Sequence, residues 1–148
     1  MVNNLRIYFK KLSKKAKAPT YAKRGDACCD LYVIEDYTIK PGARCLARTG
    51  LAIEIPEGFE AQIRPRSGLA WKKGLTVVNT PGTIDAGYRG EVKVALVNLG
   101  DEDIIVLEGD RVAQMKFAAV FVGHFLDVGD EELNPSVRGS GGFGHSGS

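Results

Sequence analysis

Apolar and polar residues alternate with a period of two through most of this chain. Leu5, Ile7 and Phe9 are spaced by Arg6 and Tyr8, the mark of a strand with one buried face. Lys14 to Gly25 is polar and irregular and reads as a loop, and Cys28 to Ile34 is apolar except for Asp30. Tyr37–Lys40 and Cys45–Arg48 flank Pro41-Gly42, which predicts a hairpin. Alternation returns at Leu51, Ile53 and Ile55, at Phe59, Ala61 and Ile63, and at Val92, Val94 and Leu96; Ile104–Leu107 is a short strand, and Arg111–Val122 a long β-rich run. Turn signals recur every 8–12 residues or so, the spacing of an all-β sandwich or barrel.

Two stretches break this rhythm. Ser67 to Gly74 predicts one or two helical turns, with Ser67 as N-cap, Lys72 and Lys73 at the negative end of the dipole, and Gly74 as the stop. Thr76 to Gly90 reads strand, turn, strand, turn: Val77-Val78 ends at Asn79, Pro81-Gly82 breaks the run, and Thr83-Ile84 leads to Asp85, Ala86-Gly87 and Tyr88. A hairpin there makes a narrow slot walled by backbone groups. Asn79 adds an amide, Asp85 a carboxylate and Tyr88 a flat ring, the outline of a nucleotide site.

Composition narrows the picture. At 148 residues, with 44% hydrophobic and 26% charged residues, the chain makes one globular domain. A net charge of +2 is too balanced to argue for nucleic acid. No apolar run reaches the ~20 residues that span a bilayer, and the N-terminus lacks the apolar region of a signal peptide. Three cysteines, Cys28, Cys29 and Cys45, form no even framework and read as reduced thiols of a cytoplasmic protein. Histidines 124 and 145 have no metal-ligand spacing. Residues 1–134 are expected to form the β domain. The glycine-rich stretch 135–148 cannot build a core and is expected to be a flexible arm.

Several side chains need a chemical explanation. Arg66, Ser67 and Gly68 open the short helix, where free N–H groups and a guanidinium suit a phosphate; the same residues also make an ordinary surface helix. Asp30 either faces solvent or pairs with a cation, because a buried unpaired carboxylate is costly. Asp85 in its Gly-bounded segment is the acid–base candidate. Gln114, in an apolar strand, must find hydrogen bonds. The tail from Arg138 to Gly147 is not a Walker loop; it is either a disordered tail or a flap in which Arg138 reaches a phosphate and Phe143 covers a base.

Taken in order, these segments resemble the five motifs of the trimeric dUTPase family: Asp26–Tyr32, Pro65–Ala70, Asn79–Gly90, Gly109–Gln114 and Arg138–Gly147. The adjacent Cys28 and Cys29 are a modest departure from the first motif. The resemblance implies a distorted jelly-roll or β-clip subunit with one short helix, assembled as a homotrimer with sites at the subunit junctions and the 135–148 arm closing over a site. It implies hydrolysis of dUTP to dUMP and pyrophosphate with Mg²⁺ carried mainly by the triphosphate, and neither nucleic acid nor membrane as partner. By similarity, Asn79 and the hairpin backbone read the uracil edge, and Gly82, Thr83 and Ile84 stand at substrate-contact positions. Tyr88 packs under the deoxyribose, and Lys93 stands at a nucleotide-contact position. Asp85 is the catalytic residue that orients the attacking water; Arg66, Ser67, Gly68, Gln114 and Arg138 hold phosphates, Asp30 supports Arg66 or the water shell of the metal, and Phe143 closes the lid. The alternatives are a dCTP deaminase of the same fold, which needs a glutamate that only Glu91 could supply, and a non-catalytic dUTP-binding regulator.

Overall fold

The computed structural model describes residues 4–142. Among them the chain forms strands β1 (Tyr8–Lys11), β2 (Cys29–Tyr32), β3 (Tyr37–Ile39), β4 (Arg44–Glu54) and β5 (Phe59–Pro65), helix α1 (Ser67–Lys73), and strands β6 (Leu75–Val77), β7 (Gly82–Ile84), β8 (Val92–Asn98), β9 (Ile104–Val106) and β10 (Arg111–Ala119). Two four-stranded sheets, ordered β1-β4-β8-β6 and β2-β10-β5-β7, and the pair β3-β9 hold all of them, with every pairing antiparallel.

The two larger sheets share one core. Leu31, Ala61, Ile63, Ala113 and Met115 come from one of them, and Ala47, Ile53, Val94 and Leu96 from the other. Strand β8 shows why the pattern was readable: its buried and less buried positions alternate residue by residue, so one face enters the core. An all-β fold with one short helix is what the alternation predicts.

Local pairings differ from the sequence reading in four places. The turn at Pro41-Gly42 exists, with Ala43 N–H donating to Lys40 O at 2.9 Å. Its arms nevertheless part: β3 pairs with β9, while both edges of β4 are taken by β1 and β8. The runs around Cys45–Arg48 and Leu51–Ile55 are one strand, interrupted only by a register shift between Arg48 and Leu51. The expected hairpin between residues 76 and 90 is not a paired hairpin either. Strand β6 joins β8 in one sheet, and β7 joins β5 in the other, so the turn at Asn79–Pro81 carries the chain across the sandwich. Finally, Arg66 rather than Ser67 is the N-cap, in extended conformation and with no side-chain cap, while Gly74 is left-handed (φ 70) and stops the helix as expected.

After Ala119 the described residues form no helix or strand, and Val120 to Ser140 are exposed throughout.

Two buried groups make the packing testable. Asn98 is fully buried; its amide donates to Ile39 O at 2.8 Å and Glu102 O at 2.7 Å, and its oxygen accepts from Gly100 N–H at 2.8 Å. Asn98→Ala strands these partners in the interior and is expected to cost about 3 kcal/mol, measured by denaturant unfolding. Cys29 is 2% exposed, donates to Met115 O, and is pushed by burial from 9.0 up to about 11. The folded state thus keeps this proton longer than the unfolded chain does. Its contribution is whole below about pH 9 and is lost as pH rises toward 11. Between those values the melting temperature should fall more steeply for the parent than for Cys29→Ala.

Candidate functional site

Strand β10 lies between β2 and β5, and its register fixes which side chains meet. Gln114 stands opposite Asp30 on one side and opposite Arg64 on the other. The ladder thereby brings Asp30, the first turn of α1 after Pro65, and the start of β10 to one end of the sheet. A cleft of about 600 Å³ opens there, lined by Asp30, Arg66, Ser67, Gly68, Arg111 and Gln114 among others.

Asp30 organises its charges. One carboxylate oxygen, Oδ1, accepts from Arg66 Nε at 3.0 Å, and Oδ2 accepts from Arg111 Nη1 at 3.1 Å. Arg66 Nη1 also donates to Arg111 O at 3.0 Å. With Asp30 only 9% exposed, the desolvated carboxylate is balanced by two guanidiniums, and the local sum of the three groups is positive. Gln114 Nε2 donates to Pro65 O at 2.9 Å, holding the entry to α1. The N–H groups of Ser67 and Gly68 sit in the first turn, where no helical carbonyl precedes them. Fixed guanidiniums, open N–H groups and a hydroxyl make a site for phosphate oxygens.

The second group of candidates lies elsewhere. Gly82 is buried beside the Asn79 amide, whose Nδ2 would stand 3.1 Å from a Cβ at that position. Thr83 is exposed and Ile84 buried on β7, the edge strand of its sheet; its outer side offers unladdered backbone groups. Asp85 and Tyr88 are exposed in the following loop, where Tyr88 N–H donates to Asp85 O at 3.0 Å. The pairing of Gly82 with Ile63 and of Ile84 with Ala61 puts Asp85 level with Glu60. Arg66 is six residues further along β5 and its continuation, so Asp85 and Arg66 are about 20 Å apart within one chain.

The remaining candidates join neither group. Lys93 is exposed on β8, opposite Arg48, on the sheet that does not carry the cleft. Arg138 Nε donates to Gly141 O at 2.7 Å within its own loop. Phe143 lies outside the described residues. Glu91, the one carboxylate a deaminase reading could have used, is tied by Oε1 to Gly50 N–H at 2.9 Å and by Oε2 to Arg48 Nε at 3.1 Å. Sequence reasoning passed over Arg111. Its signal was Asp30 itself: a carboxylate in an apolar run demands a cation, but the sequence offers many and only the β2–β10 register selects this one.

Comparison with known proteins identifies the family. The dUTPase family model matches residues 14–147. The chain is 49% identical over 144 residues to the deoxyuridine 5'-triphosphate nucleotidohydrolase of Hydrogenobaculum sp. strain Y04AAS1, covering 97% of this chain and 99% of the relative. It is 50% identical over 143 residues to that of Nautilia profundicola, with the same coverage. Among solved structures, the dUTPase of Staphylococcus bacteriophage 80alpha with dUPNHPP aligns with a TM-score of 0.90 at 26% identity, over 97% of this chain and 99% of the phage chain. With a family match that runs from the N-terminal loop through the glycine-rich tail, and near-half identity along almost the whole length, this chain belongs to the dUTPase family.

Proposed function

We propose that this chain hydrolyses dUTP to dUMP and pyrophosphate, at sites that it completes only with other copies of itself. Near-full-length identity to deoxyuridine 5'-triphosphate nucleotidohydrolases supports the reaction. The cleft supports its chemistry, because Asp30 holds Arg66 and Arg111 beside the N–H groups of Ser67 and Gly68.

The separation of Asp85 from Arg66 carries the shared-site reading. The sugar and α-phosphate of a nucleotide are covalent neighbours. With about 20 Å between their backbones and the Arg66 guanidinium tied back to Asp30, in this reading one chain supplies the phosphate cleft and another the sugar and base side. A symmetric ring of three copies, as the family resemblance implies, brings these unlike surfaces together at each junction. The exposed run after Ala119 fits the same reading: Phe121 is 94% and Phe125 100% exposed, and such side chains call for a surface beyond their own domain. The glycine-rich end, with Arg138 and Phe143, then serves as the arm that closes over a neighbour's site.

In this arrangement the open edge of β7 and the Asn79 amide read the donor–acceptor pattern of uracil. Tyr88 lies under the deoxyribose. Asp85 holds the 3'-hydroxyl, orients a water toward the α-phosphorus and takes its proton. In-line attack forms the new P–O bond, breaks the bond to the bridging oxygen and releases pyrophosphate. Arg66, Arg111, Ser67 and Gln114 meet the negative charge that builds on the phosphate oxygens.

Magnesium belongs to the substrate in this reading. Among the described residues no group of three or more His, Cys, Asp or Glu side chains could hold a metal. The cleft carboxylates are engaged: Asp30 by two arginines, and Asp26, whose Oδ2 accepts from Lys23 N–H at 2.7 Å. The family resemblance implies that Mg²⁺ arrives as the complex of the triphosphate. Reduced cysteines suit the cytoplasm as the place of work, and no helix among the described residues is long and apolar enough to cross a membrane.

Two measurements test the proposal. Pyrophosphate release is expected from dUTP, and not from dTTP, dCTP or UTP, with Asp85→Asn inactive; deamination of dCTP in its place would overturn the assignment. Mixing unfolded Asp85→Asn with unfolded Arg66→Ala and refolding them together should restore about a quarter of the parental rate, as random assortment of shared sites requires. A mixture as inactive as its components would show that each site lies within one chain.

A further inference from the structure

The loop that carries Asp85 and Tyr88 is fastened at a point outside the nucleotide site. Resting on the function proposed above, we propose that the Arg48–Glu91 ion pair is a positioning device for this loop and sets the preference for deoxyribose over ribose.

The argument starts in β4. Between Arg48 and Leu51 its pairing with β8 slips. The slip places Thr49 and Gly50 out of the ladder: Thr49 Oγ1 donates to Val92 O, and Gly50 turns left-handed (φ 67). A side chain at Gly50 would press on Ala16 Cβ and Ile34 Cδ1, both 3.1 Å from its Cβ. The freed Gly50 N–H needs an acceptor, and Glu91 Oε1 supplies it at 2.9 Å. Arg48 Nε reaches both oxygens of the same carboxylate, at 3.2 and 3.1 Å. Arg48 is fixed from its far side, where Nη1 donates to Glu35 Oε1 at 2.8 Å and its backbone N–H donates to Tyr37 Oη at 2.9 Å. The Glu91 side chain is 12% exposed and that of Arg48 44%, so the carboxylate is sheltered and its guanidinium partner stays in solvent, held in place by its second contact with Glu35.

From that anchor the constraint runs directly to the ring. Tyr88 Oη donates to the backbone oxygen of Glu91 at 2.9 Å. The ring lies over Gly90, where a Cβ would come within 2.6 Å of Tyr88 Cζ. Arg89 Nη1 donates to Ala86 O at 2.6 Å and to Tyr88 O at 3.0 Å, closing the loop on itself. An exposed aromatic ring is thus held by its hydroxyl, its backing glycine and its next-door anchor. A ring meant to exclude one hydroxyl group needs this kind of fixation, because a shift of about 1 Å opens the space that the extra oxygen would fill.

The test compares kcat/KM for dUTP and UTP in the parent, Glu91→Ala, Glu91→Gln, Tyr88→Phe and the double variant Glu91→Ala/Tyr88→Phe, with melting temperatures measured alongside. Glu91→Ala is expected to lower the dUTP-to-UTP ratio about tenfold or more, mostly through a higher kcat/KM for UTP. Glu91→Gln keeps an acceptor for Gly50 N–H but no charge for Arg48, and should fall between. Tyr88→Phe keeps the ring and loses its tether; it should lower the ratio in the same direction, and the double variant should lose less than the product of the singles. This variant also keeps the test decisive if Glu91→Ala does not fold. Unchanged ratios in the variants, with only the melting temperature lowered, would overturn the inference while leaving the proposed function standing. A parent that treats dUTP and UTP alike would overturn the proposed function, and this inference with it.

Discussion

Gln114 stands opposite Asp30 across one ladder and opposite Arg64 across the other, and the position of the cleft depends on that double register. Side chains alternate along a strand, so a slip of one residue between β10 and either neighbour would turn the charged set to the opposite face. The same register places Ala113 and Met115 in the core, 0% and 1% exposed. Core packing and site assembly are therefore one constraint. The apolar neighbours of Gln114 lock the strand, and the locked strand aligns Asp30 with the start of α1.

The electrostatics follow from this placement. A carboxylate taken out of water needs compensation, and Asp30 receives it from Arg66 and Arg111 together. The arrangement holds both guanidiniums in place before a ligand arrives, so their side-chain entropy is already lost when phosphate oxygens come. The carboxylate cancels only part of their charge and leaves the cleft attractive to anions.

The loop of Asp85 and Tyr88 is held by a different device. A slip in β4 leaves Gly50 N–H without a ladder partner, and the Glu91 carboxylate takes that role while binding Arg48. An irregular ladder in one sheet thereby anchors a loop that leaves the other sheet after β7. The cleft and the loop of Asp85 lie at opposite ends of β5, and in the proposed assembly each faces a different neighbour.

The sequence by itself determined the all-β architecture, because period-two alternation in stretches such as Val92–Asn98 is a direct record of which face is buried. It also determined the short helix and its Gly74 stop, and the family, because five motifs in fixed order are local strings that need no contacts to be recognised. Asp30, Arg66, Ser67, Gly68 and Gln114, which line a single cleft, were legible as residues needing a chemical reason. Only the tertiary structure decided the partners. Tyr37–Ile39 pairs with Ile104–Val106 rather than with the strand after its own turn, and Leu75–Val77 and Gly82–Ile84 go to different sheets. Turn residues specify that a chain reverses, but the free edge each strand finds depends on every other strand in the sheet. For the same reason Arg111 could not be picked out in advance from among the cations of the chain, and the distance between Asp85 and Arg66 could not be read at all. Both are set by register, and register is a property of paired strands rather than of any one segment.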